Sequence, residues 1–235
     1  MKLDLNINFN PSDSELTQIE QFLLKEKREF NEGFYCNWPL IKEAYEKKRI
    51  ISFHCNNECI GFVEWRDGDF VIDIDRFVIR REFRKQGLGK YFFEKIFEFF
   101  RKKKAKVIGL DCEPHESQWF WKKMGFIQFP AAEFWKELTF YKNLIEVQET
   151  TDNPSSLNKV ELWNLEPSRI RTQKPKWCWD LDMSGKPIIQ PCNHKWQLKY
   201  TKNAEIFYEG TLGRFPEAYD QILFSPFLFI ENGVS

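Results

Sequence analysis

The sequence predicts an α/β fold, a mixed sheet flanked by helices, followed by a second, smaller, mainly β domain. Three observations carry this. Segments with period-two alternation are interleaved with segments whose apolar residues recur at helical spacing. One long strand runs straight into a glycine-bearing turn and a helix. Beyond a polar stretch from Glu149 to Lys159, which contains Pro154 and reads as a linker, alternation is the dominant pattern. The expected division is therefore 1–149 and 160–235.

The elements follow in order. Leu3, Leu5, Ile7 and Phe9 alternate with polar partners, a first strand. Ser12 with Glu15 forms a capping box, after which Leu16, Ile19, Phe22 and Leu23 make one helical stripe. A shorter helix starts near Pro39 and carries Leu40, Ile41, Ala44 and Tyr45. Ile50 to Cys55 and Cys59 to Trp65 are strands joined through Asn56-Asn57, a tight hairpin turn. Phe70 to Arg80 is a long strand, and Gly87 opens a helix with Leu88, Phe92, Ile96 and Phe100 on one face. Its end is marked by Arg101 to Lys104, cations that offset the partial negative charge of a helix C-terminus. Val107 to Leu110 is a buried strand, Glu116 to Met124 a short helix, and Phe126 begins at least one more strand. In the second domain Trp177 and Trp179, then Trp196, Leu198 and Tyr200, alternate as in strands, and a short helix is expected from Pro216.

Composition narrows the function classes. The 235 residues carry 35 basic and 35 acidic side chains, so no global field favours nucleic acid or an anionic membrane. Neither is an expected partner. No apolar run approaches bilayer length and no secretory apolar stretch is present, so the six cysteines are expected as reduced thiols in the cytoplasm. The 24 Phe and nine Trp read first as large core side chains.

The segment Phe77-Val78-Ile79-Arg80-Arg81-Glu82-Phe83-Arg84-Lys85-Gln86-Gly87-Leu88-Gly89 carries the chemistry. Amides at a helix start have no internal acceptor, and the helix dipole favours negative charge there. Gly87 and Gly89 remove side chains that would keep a phosphate from the backbone. This stretch resembles the core motif of the GNAT acetyltransferases: Gln or Arg, two variable residues, Gly, one variable residue, then Gly or Ala. A second resemblance lies in Ser117-Gln118-Trp119-Phe120-Trp121-Lys122-Lys123-Met124-Gly125-Phe126, which ends like another motif of that family. The resemblance covers residues 1 to about 149 and implies the GNAT-type mixed sheet. It implies that acetyl-CoA is the co-substrate, its pyrophosphate held by the loop Arg84 to Gly89. Main-chain groups of Phe77, Val78 and Ile79 are implied to face its pantetheine arm, with Ser117 and Trp121 alongside. Two departures stand out. Trp121 occupies the place of a tyrosine that protonates the leaving thiolate in many members. Pro114, beside His115, occupies the place of an asparagine that contacts the coenzyme.

Transfer of an acetyl group to a primary amine needs the amine neutral, hence a base. Asp73 and Asp75 lie on the strand before the loop, and strict alternation would put them on one face with Phe77 and Ile79. By position relative to the loop, Asp73 resembles the catalytic Glu of the histone-type branch. A carboxylate among Val71, Ile72 and Ile74 would also titrate high if desolvated. Asp75 is the second candidate, a structural pair with Arg76 or Arg80 the plain alternative, and Glu64 and Glu113 the reserves. The expected reaction is direct transfer to an amine on a small molecule or a peptide. The alternative, which Trp121 keeps open, is a non-catalytic acyl-CoA-binding module whose second domain recruits a protein partner.

Other clusters weigh less. His54, Cys55 and Cys59, and separately Cys178, Cys192 and His194, lack the spacing of zinc modules, and no metal is expected. Cys112 with His115 or His194 is a weak nucleophile pairing. Trp163, Trp177, Trp179 and Trp196 read as core of the small β domain, with a ligand face or a homodimer surface as the alternative.

Overall fold

The structure, a computed structural model, describes residues 3–31, 33–130, 140–154, 157–165, 167, 172–182, 185–215, 221–224 and 227–231. The short helix expected from Pro216 falls on residues 216–220, outside the described ones. The chain divides into two compact units, Met1–Ile127 with Glu137–Leu144, and Gln128–Lys136 with Ile145–Ser235. This grouping ends the first unit earlier than residue 149 and draws the stretch after Glu149 into the second.

The first unit begins with β1 (Leu5–Asn8) and α1 (Asp13–Phe30). The predicted capping box is present: the Glu15 amide bonds the Ser12 hydroxyl, and the Ser12 amide bonds the Glu15 carboxylate. Pro39 lies in the first turn of α2 (Trp38–Glu46), where its missing N–H costs nothing. β2 (Ile50–Cys55) and β3 (Glu58–Asp67) meet at Asn56 and Asn57, both with positive φ (49° and 65°), as a two-residue primed turn requires. Then come β4 (Val71–Ile79), α3 (Leu88–Phe100), β5 (Val107–Leu110), α4 (Gln118–Lys123), β6 (Ile127–Gln128, which straddles the division between the units) and β7 (Phe140–Asn143). The strands form one mixed sheet in the order β1-β2-β3-β4-β5-β7-β6. α1 and α2 bury Ile19, Phe22, Leu23 and Ile41 with Phe62 and Val78; α3 and α4 bury Leu88, Phe92, Ile96 and Trp121 with Ile72, Ile74 and Ile79. The helices thus cover opposite faces of the sheet.

Two irregularities of β4 position the site. It pairs in parallel with β5 from Val71↔Val107 to Ile74↔Leu110, and beyond Ile74 it has no partner on that side among the paired residues. The second is a bulge. Glu64 pairs with Arg76 but Trp65 with Ile74, leaving Asp75 as the extra residue.

In the second unit, β8 (Lys159–Trp163), β9 (Trp177–Asp180), β11 (Gln197–Lys202) and β12 (Glu205–Thr211) form a four-stranded sheet. β10 (Ile188–Pro191), β13 (Gln221–Phe224) and β14 (Phe227–Ile230) form a three-stranded one. Every pairing recorded in these two sheets is antiparallel. Val160, Leu162, Trp179, Trp196, Leu198 and Leu228 share their core, and Trp177 stacks on Trp196 with ring centres 5.0 Å apart. These tryptophans therefore pack inward. No helix among the described residues is long and apolar enough to cross a membrane.

Candidate active site

The glycine loop folds as a strand end, a 3-10 turn at Arg81–Phe83, and then the start of α3. Gly87 caps the helix with φ of 82°, a left-handed value that a Cβ would strain. The first bond closing the helix runs from the Tyr91 N–H to the Gly87 carbonyl at 3.1 Å, so the amides of Leu88, Gly89 and Lys90 lack intrahelical acceptors. A Cβ on Gly87 would meet nothing within 4 Å, so the mouth of this turn is open. Gly89 is closed in: a Cβ there would lie 3.4 Å from Phe120 and 3.7 Å from Ile79. The end of β4, the start of α3 and α4 therefore converge at Gly89.

The unpaired half of β4 supplies a second set of main-chain groups. The Arg80 N–H donates to the Ile60 carbonyl at 2.8 Å, which sets the phase of the antiparallel ladder with β3. In that phase Val78 bonds Phe62, whereas the N–H and C=O of Phe77 and Ile79 turn toward the side that β5 has left. Of the three residues expected to face a pantetheine arm, Val78 is thus committed to the sheet. The Ile79 carbonyl accepts from Arg84 Nε at 2.7 Å.

The other loop and helix residues take distinct places. Lys85 has a positive φ of 61°, and Gln86 donates to the Glu82 carbonyl at 2.8 Å. Trp121 is 6% exposed and boxed by Phe77, Phe93, Phe120 and Phe126, with ring centres 4.9–5.6 Å away. It is part of the aromatic floor beneath the open half of β4. Ser117 stands one residue ahead of α4, its Oγ 3.1 Å from Cys112 Sγ. Burial pushes the Cys112 thiol up, against its hydrogen bond with Ser117, the opposite direction from an activated cysteine. His115 bonds Gln118 at 2.7 Å, and Glu113 is exposed.

The bulge corrects the expected alternation. Ile72 and Ile74 share a core with Phe77 and Ile79, so the phase slips at Asp75 and Asp73 faces the opposite side, toward α1 and α2. There the two aspartates, Glu64, Arg66 and Arg76 form one patch. Arg66 Nε holds Asp75 at 2.8 and 3.0 Å, while its Nη2 stays 3.8 Å from Asp73. Burial pushes the Asp73 carboxyl up, Arg66 opposing and Asp75 adding to the rise. Glu64 is bonded to Arg76 within the sheet; burial raises its carboxyl too, against that guanidinium. Asp73 is the least committed of the three carboxylates, and the only one without a hydrogen bond at or under 3.2 Å recorded among the described residues.

Sequence reasoning missed two participants. Arg66, which divides Asp75 from Asp73, carries no motif. Glu26, whose carboxylate accepts from the Arg81 N–H and from Arg84 Nη2, both at 3.2 Å, did leave a signal. It extends the apolar stripe Ile19, Phe22, Leu23 of α1 and is itself buried. Of the metal candidates, His54 Nε2 bonds Ser52 at 2.9 Å and lies 2.7 Å from a Glu15 carboxylate oxygen, and Cys59 donates to the Gly61 carbonyl at 3.5 Å.

Among solved structures, several are similar to this chain in shape over about three fifths of its length. Ard1 from Thermoplasma volcanium is 14% identical, covering 60% of this chain and 99% of its own, with a TM-score of 0.48. A GNAT-family acetyltransferase from Staphylococcus aureus Mu50 is 19% identical over 60% of this chain and 100% of its own, with a TM-score of 0.49. PaiA N-acetyltransferase from Thermoplasma acidophilum, solved in complex with coenzyme A, is 14% identical over 61% and 99%, with a TM-score of 0.45. The family model described as the acetyltransferase (GNAT) family matches residues 15–126, a stretch that runs from within α1 through the bulged strand and the glycine loop to just past α4.

Proposed function

We propose that this domain transfers an acetyl group from acetyl-CoA directly to a primary amine, with Asp73 as the base that leaves the amine neutral. The observation that carries the reading is the state of Asp73. It is a partly buried carboxylate on β4, one residue short of where β5 leaves the strand, and Arg66 is turned to Asp75 instead. A base whose carboxyl is raised toward working pH suits proton removal from an ammonium.

The residues present fit the coenzyme. Orphan amides at Leu88, Gly89 and Lys90 suit a diphosphate, and each charge-assisted hydrogen bond is worth about 1.5–3 kcal/mol. Phe77 offers free main-chain groups beside them. Acetyl-CoA would supply the thioester acyl group; the chain's own part is to hold it and to take the amine proton. A dedicated acid at Trp121 is dispensable, because a reference thiol ionises at about pH 8.5 and can leave as thiolate.

Trp121 also favours a second reading, a coenzyme-binding module without turnover, since an indole N–H is no practical acid. Thiol release from acetyl-CoA with a panel of small-molecule and peptide amines separates the two. Sustained release with at least one amine is expected; binding of coenzyme with no release from any amine would favour the module.

A further inference from the structure

We infer that Glu26 is a positioning residue for the coenzyme, clamping the foot of the glycine loop to α1 through Arg84 so that the amides of α3 are aimed before ligand arrives. The inference rests on the acyl-CoA reading above. Glu26 occupies a core position of α1, at 6% exposure, where an uncompensated carboxylate would be costly. The compensation comes from the loop. Glu26 Oε1 accepts from the Arg81 N–H, at the first residue of the 3-10 turn, and from Arg84 Nη2, each at 3.2 Å.

Arg84 completes the clamp from the other side. Its Nε donates to the carbonyl of Ile79, the last residue of β4, at 2.7 Å. One guanidinium thus joins the strand end to α1, three residues before the helix-capping Gly87. Space around the carboxylate is kept by another glycine: a Cβ on Gly33 would stand 3.2 Å from Glu26 Oε2. The arrangement also reassigns Arg84. The residue that opens the glycine motif commits its Nε to Ile79 and its Nη2 to Glu26, while the rest of its half-exposed side chain stays at the surface. A loop already held in its binding conformation loses less freedom on binding, which is where the clamp gains affinity.

The test is calorimetric titration of acetyl-CoA into the full-length protein and into Glu26→Ala, Glu26→Gln and Arg84→Met, each checked for native circular dichroism. A steady-state comparison with one active amine accompanies it. The clamp predicts a Kd for acetyl-CoA weakened about tenfold in Glu26→Ala, less in Glu26→Gln, which keeps an acceptor for the Arg81 N–H. At saturating coenzyme, kcat and the KM for the amine should stay near the wild-type values in the two Glu26 variants. Combining Glu26→Gln with Arg84→Met should cost less than the sum of the two, because both break one bridge. Should Glu26→Ala fail to fold, Glu26→Gln and Arg84→Met carry the test alone. Wild-type affinity in every folded variant overturns the clamp. Failure of the wild-type protein itself to bind acetyl-CoA overturns the functional reading, and the clamp with it.

Discussion

The two working regions of the N-terminal unit use different parts of the chain. At the glycine loop the groups aimed outward at the helix start are main-chain amides, and the charged side chains Arg80 and Arg84 are bonded to Glu58, Glu82 and Glu26. Across the sheet, in the patch of Glu64, Arg66, Asp73, Asp75 and Arg76, the chemistry lies in side chains, and a single bulge decides which carboxylate is left unclaimed. The first region should tolerate side-chain exchange and fail when the backbone is obstructed. The second should fail on the change of one atom.

The largest expected effect tests the second region. Asp73→Asn should lower turnover by between about a hundredfold and ten-thousandfold, the span of general-base catalysis, with acetyl-CoA affinity little changed. Near-wild-type turnover would move the base to Glu64 or to water.

Next comes the loop. Acetyl-CoA at a hundredfold excess over its Kd should add about 2.7 kcal/mol of stability to the wild-type protein, and Gly87→Glu should abolish that gain. Since φ is 82° at this position, Gly87→Ala serves as the control for backbone strain alone and should retain much of the melting shift. Equal loss in both would mean that strain, not the added carboxylate, accounts for the effect.

A smaller effect sharpens the role of Arg66. Asp75→Asn removes a neighbouring negative charge and frees Arg66 for Asp73, and both changes lower the Asp73 carboxyl. The base works deprotonated, so the rising limb of the pH profile of kcat/KM should move to lower pH, the plateau changing little. An unmoved limb would show that Asp73 does not set it. Smallest on activity is Trp121→Phe, which should keep most of the turnover while costing about 1–2 kcal/mol of stability from the aromatic floor.

The same contrast explains what could be read without a structure. The loop was legible because its chemistry is a backbone property: a strand pattern, Gly87 and a helical stripe from Leu88 announce themselves whatever the surroundings. So were the capping box at Ser12 and the Asn56-Asn57 turn, both local. The carboxylate patch was legible only as a set of residues. Asp73 and Asp75 alternate in the sequence, but the extra residue that breaks the alternation is set by pairing with β3, which no local pattern records. Glu26 lay between these cases, a charge in line with an apolar stripe, whose partner some sixty residues on is fixed only by folding.

The central claim, that the main chain of the loop binds while a side chain across the sheet reacts, is tested most directly by one calorimetric comparison. Acetyl-CoA is titrated into wild-type protein, Asp73→Asn and Gly87→Glu under the same conditions. The prediction is wild-type affinity in Asp73→Asn and no binding in Gly87→Glu. Undiminished binding in Gly87→Glu, or its loss in a folded Asp73→Asn, would contradict the division of labour proposed here.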